Sequence, residues 1–425
     1  MALDYFEVTG GPRLRGTVAI SGAKNAALPI MAASILCEGT TVLEGVPDLE
    51  DVRKMLQLLG KLGVRAERKG EALELEVVDE GPCLAEYDLV RKMRASVCVM
   101  GPLLTKRREC QVSMPGGCAI GDRPIDLHLA GLKALGGELD LLGGNMNLKI
   151  GKGKRLVGTD IFLGGPFGST VTGTANVIAA AVLAEGTTVI EAAACEPEVV
   201  DLAGFLNACG ASIRGQGTPR VIIEGVEGLK GCRHRVIPDR IEAGTYMIAA
   251  AMTNGELKLD NVRLEDMLAV VHRLREVGVN VERDDGHVVV SSARNLEPTV
   301  ITTQPFPGFP TDLQAQMMAL LAIANGNSIV TEKIFPDRFL HVAELGRMGA
   351  RLHKQGPTVI IEGVKRLIGA PVMASDLRAS AALVLAGLIA KGSTRVNRVY
   401  HIDRGYERIE QKLAAVGADI KRGSE

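Results

Sequence analysis

One thiol and one guanidinium stand close together in the stretch Pro115-Gly116-Gly117-Cys118-Ala119-Ile120-Gly121-Asp122-Arg123-Pro124-Ile125-Asp126-Leu127-His128. Two glycines and a proline predict a loop before Cys118, Gly121 permits a second bend, and Pro124 suits the first turn of a helix. A helical pattern follows through Leu129, Leu132 and Leu135. Exposed amides and an arginine at a helix start favour an anion. The pattern suggests a reactive thiol beside an anionic ligand. Most cysteines are small buried hydrophobes. Cys37, Cys98 and Cys209 fit that description in apolar helical patterns, and Cys83, Cys110, Cys195 and Cys232 sit near element ends. Cys118 differs, because its neighbours are Gly, Pro, Asp and Arg.

Further charged groups open otherwise apolar segments, where they are costly unless used. Lys24 and Asn25 lie in Ser21-Gly22-Ala23-Lys24-Asn25-Ala26-Ala27, Arg94 in Met93-Arg94-Ala95-Ser96, and Asp312 in Phe309-Pro310-Thr311-Asp312. Arg338 follows Asp337, Arg378 lies in Asp376-Leu377-Arg378-Ala379-Ser380, and Arg404 in His401-Ile402-Asp403-Arg404-Gly405-Tyr406-Glu407-Arg408. Asp337, Asp376 and Asp403 could each pair with a nearby arginine. Arginine forks at several helix starts suit phosphate and carboxylate ligands.

These residues must be positioned by a repeated scaffold. Gly39-Thr40-Thr41-Val42-Leu43-Glu44, Gly186-Thr187-Thr188-Val189-Ile190-Glu191, Asn327-Ser328-Ile329-Val330 and Ser393-Thr394-Arg395-Val396 each lead through a helix to a further strand. About six such units of roughly 65–75 residues run along the chain. Between them come helical segments at 88–103, 170–183, 243–252, 312–324 and 376–389, rich in Ala, Leu, Val and Met and nearly uncharged outside residues 88–94. A helix apolar all round is buried, whereas strands that alternate apolar and polar residues face solvent on one side. The predicted fold class is therefore α/β, with two inside-out lobes around an interdomain cleft. Each lobe has three repeated units, helices inside and sheets outside. Residues 23–235 form the first lobe, carrying the Cys118 loop, and residues 1–22 with 236–425 form a discontinuous second lobe.

The 425 residues carry a formal net charge of -1, so no basic excess points to nucleic acid or anionic lipid. Aromatic residues make up 3% and Trp is absent, which leaves little for base stacking. No C-x-x-C or paired-His spacing supports a metal site, and no cofactor is implied. The N-terminal residues lack a signal-peptide pattern and the apolar runs are too short to span a bilayer. A cytoplasmic protein with reduced thiols is expected; the oligomeric state is left open.

Taken in order, the motifs above, with Glu196-Pro197-Glu198 and Pro238-Asp239-Arg240-Ile241-Glu242, resemble those of the UDP-N-acetylglucosamine enolpyruvyl transferases, over essentially the whole chain. The resemblance implies the same two-lobed fold. It also implies enolpyruvyl transfer from phosphoenolpyruvate to the 3'-hydroxyl of UDP-N-acetylglucosamine, with phosphate released, as the first committed step of peptidoglycan precursor synthesis. That step serves cell-wall biogenesis, cell shape and division. By similarity Cys118 is the general acid at C3 of phosphoenolpyruvate, or handles bound ligand and product, and is the group alkylated by fosfomycin. Asp312 resembles the base that takes the sugar proton. Lys24, Arg123 and Arg404 resemble the ligands of phosphate and carboxylate, with Asn25, Arg94, Ile334, Arg338 and Arg378 also in the substrate site. One segment departs from the family pattern: Gly165-Pro166-Phe167-Gly168-Ser169-Thr170 stands where the uridine contacts are expected. Three alternatives are kept. One is a 5-enolpyruvylshikimate-3-phosphate synthase-like enzyme, which lacks the Pro-Gly-Gly-Cys loop. The others are a paralogue with another acceptor and a non-catalytic relative.

Overall fold

The computed structural model describes residues 4–91, 93–114, 125–293 and 295–424. Cys118 and Arg123 lie outside them, as does the proline-initiated turn at Pro124. The chain up to Ser21 and from Pro238 onward packs as one compact unit, and the described part of the chain from Gly22 to Ile237 packs as another. Each unit has its own apolar core.

Composition decides which helices are inside. In Arg240–Met252, every residue from Ile241 onward is buried, and in Gln314–Leu321 all residues are. These two helices pack with Leu377–Ile389, another almost wholly apolar segment. With no polar face, such helices are stable only when surrounded. Lys24–Ala33, Met100–Arg107 and Val171–Ala181 form the matching set in the other unit. The outer helices are one-sided. Glu50–Lys61 buries Val52, Met55, Leu58 and Leu59, and turns Arg53, Gln57 and Lys61 to solvent.

Among the described residues each unit carries three four-stranded sheets, all with one pattern of parallel and antiparallel pairing. In one, Val300–Thr302 pairs in parallel with Asn327–Thr331, which pairs antiparallel with Thr358–Glu362, itself antiparallel to Arg351–Gln355. Alternation puts Val359 and Ile361 against the helices and leaves their neighbours half-exposed. The N-terminal strands complete two sheets of the later unit. Asp4–Thr9 lies between Ser393–Asn397 and Asp419–Ser424, and Arg15–Ala19 runs parallel to Glu256–Asp260.

The expected helix over 88–103 is broken. Tyr87–Val90 is a single turn, Met93 is extended (φ -144°, ψ 110°), Arg94–Val99 is a 3-10 stretch, and only Met100–Arg107 is α-helical. Pro102 is tolerated there because it falls in the first turn, where its missing N–H has no helical partner to lose. The inner helices at 312–324 and 376–389 begin later than expected, at Gln314 and Leu377. No helix among the described residues is long and apolar enough to cross a membrane.

The repeat leaves a signature at the joints. Gly225, Gly363 and Gly10 donate their amides to the carbonyls of Gly186, Gly326 and Gly392 at 3.0, 2.9 and 3.3 Å. A Cβ on these three would lie 1.6, 1.7 and 2.0 Å from the carbonyl oxygens of Ala184, Ala324 and Ala390, at the ends of the inner helices. Backbone meets backbone there, so nothing flexible can yield. Gly363→Ala is expected to destabilise its unit by roughly 2 kcal/mol or more, read as a lower thermal unfolding midpoint. An unchanged midpoint would show that the joint relaxes.

Candidate functional site

In the later unit, three of the expected residues meet at one carboxylate. Asp312 lies in a 3-10 turn, Thr311–Leu313, that feeds the buried helix Gln314–Leu321. Its Oδ1 accepts from Arg338 Nη1 at 2.8 Å and its Oδ2 from Arg378 Nη2 at 3.0 Å. The two guanidinium side chains are only 8% and 2% exposed, while the carboxylate side chain keeps 26% of its surface. Burial pushes the Asp312 carboxyl upward, but Arg378 and Arg338 outweigh it and hold the group well below the usual carboxylate range. Arg378 sits on the first turn of Leu377–Ile389, held there by Asp376, whose Oδ1 accepts the amides of Arg378 and Ala379 at 2.9 and 3.1 Å. The described structure thus gives Asp376 a capping role. Two further nitrogens of Arg378, Nε and Nη1, find no acceptor among the described residues, and Tyr406 lies beneath the guanidinium at 5.3 Å from ring centre to Cζ. Buried donors without acceptors are costly.

Several residues that hold this triad were not singled out from the sequence. Glu332 is fully buried. Its Oε1 accepts Thr303 Oγ1 at 2.6 Å and the amides of Ile334 and Phe335 at 2.8 and 3.0 Å, and its Oε2 accepts Thr311 Oγ1 at 2.8 Å. Arg338 Nη1 also donates to Thr311 Oγ1 at 3.0 Å, so Glu332 reaches the Asp312 pair through one hydroxyl. Ile334, an expected substrate contact, is half-buried and its amide is used by this turn. Gln316 Nε2 donates to the Asp312 carbonyl at 3.0 Å and to Tyr406 Oη at 3.0 Å, and Thr245 Oγ1 lies 2.9 Å from the same phenol. Arg404 ends the 3-10 turn Val399–Arg404 and is half-buried. Ser21, Glu242 and Glu407 prove structural here. The Ser21 amide donates to Glu242 at 2.7 Å, its hydroxyl donates to Glu407 at 2.9 Å, and Lys412 joins Glu242 and Ser21 at 2.7 and 2.8 Å.

In the earlier unit, Lys24 opens the helix Lys24–Ala33 and is 8% exposed. Its ammonium lies 3.1 Å from Asp51, which is 2% exposed. A cation buried this far needs such a partner; only the fold reveals Asp51 as that partner. Asn25 is exposed, and the helix N-cap is Ala23 with no side-chain capping bond. Arg94 starts the 3-10 stretch and is half-buried. The helix Asp126–Ala134, which follows residues 115–124, is anchored by His128. Its Nδ1 accepts from Asn176 Nδ2 at 2.8 Å, and its Nε2 meets Thr172 Oγ1 at 3.1 Å. Burial, and then Arg94, push the imidazole down to about 3, so it is neutral. Asn176 also donates to Val97 O at 2.8 Å and accepts from the Gly101 amide at 2.9 Å, tying three elements to one amide. Phe167, 58% exposed, tips a short hairpin pairing Gly164–Gly165 with Gly168–Ser169, and Thr170 then caps the helix Val171–Ala181.

Among the described residues no cluster of His, Cys, Asp and Glu could hold a metal ion. The chemistry available from the described side chains is that of fixed cations, a carboxylate held ionised, and hydrogen-bond donors. Because the folded Asp312 is more acidic than its unfolded counterpart, its contribution to stability is fully present above the ordinary carboxylate range. It is lost as pH falls through the lower folded value. The difference in unfolding midpoint between wild type and Asp312→Asn should therefore be largest near neutral pH and shrink below about pH 4. A difference independent of pH would remove the ion pairs as its cause.

The chain matches the family profile described as EPSP synthase (3-phosphoshikimate 1-carboxyvinyltransferase) over residues 8–413. Among solved structures it resembles the enolpyruvyl transferase NikO from Streptomyces tendae, with a TM-score of 0.90, 23% identity and all of both chains covered. It also resembles EPSP synthase from Acinetobacter baumannii, with a TM-score of 0.77, 20% identity, and 99% of this chain and 100% of that one covered. Those likenesses show the fold: two inside-out α/β lobes. Closer in sequence are proteins named UDP-N-acetylglucosamine 1-carboxyvinyltransferase. The one from Methylacidiphilum infernorum is 50% identical over 99% of both chains, and that from Nitratidesulfovibrio vulgaris strain DP4 is 52% identical over the whole of both. With half its residues shared end to end with such enzymes, this chain belongs to the UDP-N-acetylglucosamine 1-carboxyvinyltransferase family of enolpyruvyl transferases.

Proposed function

We propose that the chain transfers the enolpyruvyl group of phosphoenolpyruvate to the 3'-hydroxyl of UDP-N-acetylglucosamine and releases phosphate, a step in making peptidoglycan precursors. The observation that carries this is the full-length identity of 50–52% to enzymes of that name, against 20% to a structure of the shikimate-pathway enzyme.

The sugar hydroxyl must lose a proton as its oxygen bonds to C2 of phosphoenolpyruvate, while C3 gains one. The C2–O bond to phosphate then breaks as C3 gives a proton back, which restores the double bond. Asp312 is the base for the sugar hydroxyl. Its ion pairs keep it ionised but also make it a weak base. An anionic substrate group bound beside the exposed part of Asp312 opposes the field of the two arginines and leaves the carboxylate more basic. Binding then switches on the base. Glu332 and Thr311 are positioning residues, since they act through Arg338 and the turn that carries Asp312. Lys24, Arg123 and Arg404 bind the phosphate and carboxylate of phosphoenolpyruvate, where fixed cations stabilise developing charge. Asn25, Arg94 and Ile334 belong to the substrate site. Cys118 handles the proton at C3 or the bound product; its setting beside Arg123 favours a reactive thiol, and the family relation implies that it is the group alkylated by fosfomycin. The protein works in the cytoplasm, where both substrates are met as small molecules, and serves cell-wall growth and division.

The test is phosphate release from phosphoenolpyruvate with UDP-N-acetylglucosamine, in wild type and in Cys118→Ser. Rapid release in wild type, with loss on the order of 10²-fold or more in the variant, is expected for a proton-transfer residue. Equal rates would take Cys118 out of the chemistry. No release in wild type would remove the assigned reaction.

A further inference from the structure

Three cysteines far apart in sequence come together at the side of the earlier unit. Cys209 lies in the middle, with its Sγ 3.3 Å from Cys232 Sγ and 3.6 Å from Cys37 Sγ. The backbone enforces this meeting. Cys209 caps the C-terminal end of the helix Pro197–Ala208, and its carbonyl accepts the Lys230 amide at 2.9 Å. Leu229 is the register partner of Cys37, and the Cys232 carbonyl accepts the Val42 amide at 2.8 Å. Cys37 and Cys209 are 2% and 4% exposed, whereas Cys232 is only half-buried. Cys232 is therefore the most solvent-exposed residue of the three.

We propose that Cys209 and Cys232 are an oxidation site, converted to a reversible disulfide by hydroperoxides independently of Cys118. The sulfur of Cys232 attacks the terminal peroxide oxygen, the O–O bond breaks, and the thiol proton leaves with the departing oxygen as water or an alcohol. The Cys209 sulfur then attacks the sulfenic sulfur, the S–O bond breaks, and the hydroxyl leaves with the Cys209 proton as water. Two thiols are oxidised by two electrons and one hydroperoxide is reduced. To reach a bond of about 2.05 Å the sulfurs must close by a little over an ångström, within reach of side-chain rotation. The two segments are already latched at their other end. Asp201, on the same helix, lies 2.9 Å from His234 Nε2 and accepts the Ile237 amide at 3.2 Å. The bond thus adds a second fastening to one that exists, and calls for little backbone movement. Cys232 outranks Cys37 as partner because it is nearer and more accessible. Burial raises the Cys232 thiol, so attack is slow beside that of an exposed, activated thiol.

The experiment treats the whole protein with excess hydrogen peroxide, blocks remaining thiols with iodoacetamide after denaturation, digests without reductant and maps peptides by mass spectrometry. A linked Cys209–Cys232 pair, lost with dithiothreitol and absent from Cys232→Ser and Cys232→Ala, is expected. Recovery of Cys209 and Cys232 as alkylated thiols while other cysteines are oxidised would overturn the proposal, as would a link from Cys209 to Cys37. In a Cys118→Ser background the oxidised protein should unfold a few degrees higher than the reduced one, because the bond closes a loop between residues 23 apart. A lower midpoint would contradict the claim that the pair is arranged for the bond.

Discussion

Two nearly buried guanidinium groups on one carboxylate are the constraint around which the later unit is arranged. Leaving Arg338 or Arg378 unpaired in that environment would be strongly destabilising, so Asp312 stabilises the fold in addition to the chemistry proposed for it. The reverse also holds. A lone Asp312 at this depth would be pushed toward protonation by burial; the arginines reverse the sign. Everything nearby serves that balance. Asp376 fixes the helix start that presents Arg378, Glu332 fixes the turn before Arg338 through Thr311, and Gln316 ties the Asp312 carbonyl to Tyr406. An ion pair kept for stability alone is replaceable by packed apolar residues. One that leaves a quarter of its carboxylate side chain exposed is placed to meet a ligand.

The scaffold achieves this by placing charged residues at the ends of helices that are otherwise apolar. Lys24, Arg378 and Asp312 each lie at or just before the first turn of an inner helix. The inner helices have no polar face, so their ends are where polar chemistry can be placed without breaking the core. The same repeat sets how tightly strand ends approach helix ends, which is why glycine recurs at positions 10, 225 and 363.

Much of this was legible in the sequence because it is local or repeated. Uncharged helical segments predicted burial, alternating strands predicted sheets with one solvent face, and the motif order carried the family resemblance. What the sequence hid depends on pairings distant along the chain. Lys24 announces itself as a cation at a helix start, but nothing local selects Asp51. Asp312 was legible as a motif aspartate, while its hold by Arg338 and Arg378, 26 and 66 residues away, belongs to the packing. Glu332 follows the strand Asn327–Thr331 with no local signal of the turn it holds. The break between Tyr87 and Met100 was missed because the apolar run around it reads as helix and nothing local marks Met93 as extended. Cys37, Cys209 and Cys232 read as separate inert thiols, since no short spacing linked them.

Asp312 is a structural anchor and the proposed base, and one comparison separates those roles. Asp312→Asn keeps the shape and one acceptor for the arginines but cannot take the proton of the sugar hydroxyl. UDP-N-acetylglucosamine affinity by calorimetry and single-turnover phosphate release should be measured on the same folded preparation. Affinity within about tenfold of wild type and release slowed on the order of 10²–10⁴-fold are the expected result. Release within a few-fold of wild type, with affinity unchanged, would contradict it and leave Asp312 as an anchor alone.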